Sequence, residues 1–117
     1  MRLKDIQELL NAKILCGEEL LDTEVGSAFA SDLMSDVLSL VKDQKILLTG
    51  LCNTQVLRTA EMMDMICVII VRGKQPDQTI IEMASQKSIC LLSTKRTLFH
   101  SCGLLFANGI DGGLLNE

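Results

Sequence analysis

Lys45-Ile-Leu-Leu-Thr-Gly50, the amphipathic run from Thr54 to Asp64, and the unbroken apolar run Ile66-Cys-Val-Ile-Ile-Val71 decide the fold of this chain. They read as strand, helix and strand. A half-exposed strand alternates polar and apolar residues, whereas strands apolar on both sides belong to a parallel sheet covered on both faces. Val56, Leu57, Ala60 and Met63 repeat at helical spacing between the two strands and face the sheet.

Downstream the pattern recurs. Arg72-Gly-Lys-Gln-Pro-Asp77 ends the second strand. Asp77 can cap a helix that buries Ile80, Ile81 and Ala84. Ile89 to Leu92 is the next buried strand. Ser93 or Thr94 caps a last helix with Leu98, Phe99, Cys102, Leu105 and Phe106 on its apolar face, stopped at Asn108-Gly109. Upstream, Leu3, Ile6, Leu9 and Leu10 share a helical face, and Lys13 to Cys16 is a short strand closed by Gly17. Glu18 to Asp22 makes a charged turn, and Val25 to Ala30 is a strand of small residues. Ser31 or Asp32 caps a helix on which Met34, Val37, Leu38 and Val41 recur. Right-handed crossovers then give a single α/β domain, three layers α/β/α, with a mostly parallel sheet of four or five strands. The domain spans residues 1–110, and residues 111–117 form a flexible tail.

Composition bounds the function. The 117 residues carry a net charge of −4 and only three Phe, with no Trp or Tyr. Nucleic-acid binding needs a basic face and stacking platforms, so no nucleic acid partner is expected. No apolar run reaches the length of a membrane span, and charges occupy the N-terminus where a signal peptide has its apolar core; the expected setting is cytoplasmic, away from the membrane. Five cysteines without a CxxC pair read as reduced thiols, with Cys52 the one placed in a strand-end loop where it can react. His100 has no second ligand at metal spacing, and no cofactor is expected. Ser31 and Ser35 have no histidine near them in the sequence, and Asp32 and Asp36, one helical turn apart, read as a cap and a solvated face. No catalytic residue is assigned.

The order Gly17-Glu-Glu19, Leu21-Asp-Thr-Glu-Val25, Ser31-Asp-Leu-Met-Ser-Asp-Val37, Gly73-x-x-Pro76-Asp77 and Leu91-Leu-Ser93 resembles the DRTGG domain family. That family is a small α/β module, found alone or attached to CBS domains or phosphotransacetylase-type enzymes. Its fold is similar to that of the N-terminal domain of HPr kinase/phosphatase. The resemblance covers roughly residues 2 to 110 and implies a non-catalytic regulatory or protein-interaction module. The naming residues depart: Thr23 stands for the family's Arg, Ser27 and Ala28 for its paired glycines, and Gly26 is displaced. Either a ligand service has been lost or changed, or Gly26 shapes a turn with altered geometry.

In an open parallel sheet, ligands meet the carboxyl ends of the strands. The loops there contain Thr49, Gly50, Cys52, Asn53, Thr54, Arg72, Lys74, Ser93, Thr94, Lys95 and Arg96, which gather four of eleven basic residues on one edge of an acidic chain. A small anionic ligand or nucleotide fits that edge. The competing readings are polar loops and simple helix caps, or an enzyme or nucleotide-binding protein working through the same loops. A protein partner encoded nearby is the other expectation for a regulatory module. Finally, the apolar surplus predicts a homodimer, with Phe29, Met34, Val37, Leu38 and Val41 at the interface.

Overall fold

A computed structural model describes residues 1–113. Five strands form one sheet in the order β1-β5-β4-β3-β2, where β1 is Lys13–Cys16, β2 Ala28–Ala30, β3 Ile46–Thr49, β4 Cys67–Ile70 and β5 Cys90–Ser93. Strands β2 to β5 are mutually parallel, and β1 pairs antiparallel with β5. The helices are α1 (Leu3–Leu9), α2 (Met34–Leu40), α3 (Thr54–Met62), α4 (Gln78–Gln86) and α5 (Leu98–Ala107). Every residue of β3, β4 and β5 is buried, as strands covered on both faces require.

Alternation along the strands divides the core into two layers. On one face Leu47, Val68, Ile70 and Leu91 pack against Met34 and Val37 of α2, Val56 and Leu57 of α3, and Ile80 and Ala84 of α4. On the other, Ile46, Leu48, Ile69 and Leu92 pack against Leu3 and Ile6 of α1 and Leu105 of α5. The expected three-layer α/β/α domain is therefore present, with a five-stranded, mostly parallel sheet. Each of α2, α3 and α4 crosses from one strand to its neighbour on the same face, and α5 is the first element after a parallel strand to cross to the other.

Several local expectations are corrected. Asn53 and Asp77 cap α3 and α4 through bonds from Val56 N and Ile80 N, but α5 is capped by Thr97, which leaves Ser93 inside β5. The α2 helix begins after Leu33, whose N–H donates to Ser31 Oγ at 2.9 Å, so the Asp32 carboxylate is free for other partners. Met34, Val37 and Val41, assigned to a dimer interface, are spent in the core with 4%, 0% and 5% exposure. Phe29 is half-buried and Leu38 is exposed. Asp111 to Gly113 is not loose: Ala28 N donates to Asp111 O, Asp111 N to Gly26 O, and Gln44 Nε2 to Gly112 O. The remainder of the expected tail, residues 114–117, lies outside the described residues.

The segment at the family signature anchors α1. The free N–H groups of Leu3 and Lys4 at the helix start donate to Thr23 O and Leu21 O, and Arg2 reaches Asp22 and Glu24, each at 3.7 Å. Gly26 has no positive φ, and a β-carbon there would meet nothing within 4 Å, so the turn does not depend on glycine.

Candidate functional site: a cationic cavity at the carboxyl edge of the sheet

The chain leaves β4 for α4 on one face and leaves β5 for α5 on the opposite face. The two loops therefore part at the carboxyl edge, the place where an open sheet forms a crevice. They are tied at their base, because Arg72 N donates to Arg96 O and Gly73 N to Thr94 O, each at 2.8 Å. Arg72 and Gly73 reach this arrangement with φ of 65° and 69°. Antiparallel β1 adds a third wall: its first residue, Lys13, is in register with Ser93, the last of β5.

The result is a polar cavity of about 380 Å³ lined by Asn11 and Lys13 on one side, Gly73 and Gln75 on another, and Ser93 to Arg96 along its base. Thr94 Oγ1 donates to Leu10 O at 2.8 Å and Ser93 Oγ to Lys74 O at 3.0 Å, so both hydroxyls are occupied in fixing the walls. Lys13, Lys95 and Arg96 enter none of the ion pairs among the described residues. The Nε–H of Arg96 is buried and has no hydrogen-bond partner there. Cationic side chains that converge on one concavity without a carboxylate partner favour an anion there.

The edge expected to be one site divides into two. Ser93, Thr94, Lys95 and Arg96 meet at the cavity, while Thr49, Gly50 and Arg72 gather around Asp32. There the carboxylate accepts from Gly50 N at 2.7 Å and from Thr49 Oγ1 at 2.9 Å, and Arg72 Nη2 stands 4.0 Å away. The Gly50 N–H, with Thr49 and Arg72 adding to it, holds the Asp32 carboxyl below the usual aspartate range. Arg72 is thereby drawn toward Asp32 and away from the cavity. Lys74 lends the cavity its carbonyl but does not line it, and Cys52, Asn53 and Thr54 lie at the start of α3, outside it. Burial raises the Cys52 thiol above its ordinary value, against a lesser pull from Lys74 and Arg72, so this cysteine is not activated as a thiolate.

Sequence reasoning missed Asn11, Lys13 and Gln75. Lys13 joins the site only because β1 runs antiparallel, and a four-residue strand bears no mark of its direction. Asp32, read as a cap, instead ties the end of β3 to α2. Among the described residues no three His, Cys, Asp or Glu side chains gather as metal ligands. No helix there is long and apolar enough to cross a membrane.

Comparison with solved structures gives the CBS and DRTGG domains of the regulatory region of Clostridium perfringens pyrophosphatase, complexed with an activator, diadenosine tetraphosphate. The match has a TM-score of 0.73 and 19% identity, and it covers 89% of this chain and 45% of that one. At that identity the likeness shows the fold, and the chain spans less than half of the neighbour. No curated protein matches. The DRTGG domain matches residues 5–105, nearly the whole described chain, and on that match this chain belongs to the DRTGG domain family.

Proposed function

We propose that this domain is a non-catalytic regulatory module that senses a small phosphate-bearing ligand, a nucleotide in the first instance, in the cavity between the β4 and β5 loops. The observation that carries the reading is the cluster of Lys13, Lys95 and Arg96 at this cavity, none of them in an ion pair among the described residues, on a chain of net charge −4. Cations collected at one concavity of an acidic protein repel one another unless an anion joins them. The cavity volume falls at the lower end of the range for small-molecule sites. The pyrophosphatase regulatory region is complexed with a dinucleoside tetraphosphate, a ligand of the same chemical class.

The absence of catalysis is supported by the state of the hydroxyls. Ser93 and Thr94, the nucleophile types at the cavity, donate to backbone carbonyls rather than to a base. A thermal-shift series with ATP, diadenosine tetraphosphate and inorganic tripolyphosphate tests the reading. Saturable stabilisation that grows as RT ln(1 + [L]/Kd), and that is lost in Arg96→Ala, is the expected result. No stabilisation at millimolar ligand overturns it.

A further inference from the structure

The cavity between the β4 and β5 loops is rich in hydrogen-bond donors and poor in acceptors. The carbonyl oxygens around it are engaged by the fold itself: Leu10 O accepts from Thr94 Oγ1 at 2.8 Å, Lys74 O from Ser93 Oγ at 3.0 Å, and Thr94 O and Arg96 O from Gly73 N and Arg72 N, each at 2.8 Å. Thr94 Oγ1 in turn accepts from Arg96 N at 3.3 Å. The side chains left to meet a ligand are Lys13, Lys95 and Arg96, which only donate, and the amides of Asn11 and Gln75, which do both. No carboxylate and no aromatic ring is among the described residues that line it. The chain's three phenylalanines lie instead around a separate apolar groove between α5 and β2, where Phe99 and Phe106 are 89% and 75% exposed rather than buried as their helical spacing predicts.

We infer that the cavity recognises the phosphate chain of its ligand and neither the nucleobase nor a bound Mg²⁺, an inference that rests on the reading of this cavity as an anion sensor. A nucleobase is held by stacking on rings and by acceptors for its amino and ring N–H groups, and ribose hydroxyls need acceptors too. This cavity has no ring to offer and has spent most of its acceptors on its own walls. The non-bridging oxygens of a phosphate chain only accept, which suits a lining of donors. Three cations match a di- or triphosphate better than a single phosphate. Mg²⁺ in a nucleotide site is held by one or two carboxylates together with the phosphates. Here the protein supplies none, and the metal would compete with Lys13, Lys95 and Arg96 for the same oxygens while removing two of the ligand's charges. The ligand is therefore a metal-free polyphosphate, either inorganic or the tail of a nucleotide whose nucleoside stays outside.

Isothermal titration calorimetry on the full chain tests this, with tripolyphosphate, ATP, GTP, CTP and adenosine as probes, each with and without excess MgCl₂ at constant ionic strength. The three nucleotides should bind within about threefold of one another, with tripolyphosphate at least as tight, and adenosine should give no binding heat at millimolar concentration. Excess Mg²⁺ should weaken every phosphate ligand by more than about tenfold. Lys13→Gln, a change at an exposed side chain, should weaken tripolyphosphate and ATP by the same factor. A preference for one base beyond about tenfold, binding of ATP without binding of tripolyphosphate, or binding that requires Mg²⁺ overturns this inference and leaves the anion-sensing reading standing. No binding of any phosphate ligand overturns both.

Discussion

The guanidinium of Arg72 fills the space that a β-carbon at Gly50 would need, and its Nη2 lies 4.0 Å from Oδ2 of Asp32. Arg72 is held over the end of β3 and away from the cavity at β5. Because the obstruction is the far end of a flexible side chain, Gly50→Ala should displace Arg72 at a cost below about 1 kcal/mol. Urea titration checks this, and a loss several times larger would mean that Gly50 is needed for its backbone instead.

Gly17 offers the opposite case. Its φ is +87°, and a β-carbon there would lie 2.5 Å from the Cα of Cys90 at the start of β5. Backbone cannot swing aside. Left-handed strain and overpacking together should cost Gly17→Ala roughly 2–4 kcal/mol. Gly26→Ala, with open space around it, should be within about 0.5 kcal/mol of wild type. Equal effects in the two variants would contradict the packing of β1 against β5.

Asp32 sets a pH dependence whose sign follows from its partners. The carboxyl is lowered in the folded chain, chiefly by the Gly50 N–H, so its contribution to stability is fully present above the unfolded aspartate range and is lost as pH falls through the folded value. With its side chain 47% exposed, solvent screening keeps the contribution small. Asp32→Asn should lower stability by about 1 kcal/mol at neutral pH, and the gap to wild type should close in acid. A gap that widens in acid would contradict the assignment.

The cysteines give a check on burial. Cys52 and Cys102 are half-buried, whereas Cys16, Cys67 and Cys90 are buried. The contact with Cys90 and complete burial hold the Cys67 thiol well above its ordinary range. Cys52 and Cys102 should react with maleimide first, read by mass spectrometry of digested chain. Reaction of Cys67 ahead of Cys52 would contradict the sheet order.

What was legible in the sequence follows from how strongly each feature is constrained. The strands around Leu47, Val68 and Leu91 are buried on both faces, so their apolar runs announce a covered parallel sheet without further information. The loops after them, with Lys95 and Arg96, follow from that order. The direction of β1 does not, because its four residues can pair either way, and Lys13 was missed with it. On α2, periodicity finds the helix but cannot say which of several apolar residues faces in. Val37 is buried, while Leu33 and Leu40 are 57% and 56% exposed. The same ambiguity hid the outward rings of α5, whose residues are apolar nearly all round.

The central claim is that an anionic ligand seats between the β4 and β5 loops. The most direct measurement is a titration of isotope-labelled chain with ATP or diadenosine tetraphosphate, followed by amide NMR. The predicted result is saturable shifts confined to Asn11 through Lys13, Gly73 through Gln75 and Ser93 through Arg96, weakening as salt is raised. Shifts centred on Thr49, Gly50 and Asp32, or no shifts at millimolar ligand, would contradict it.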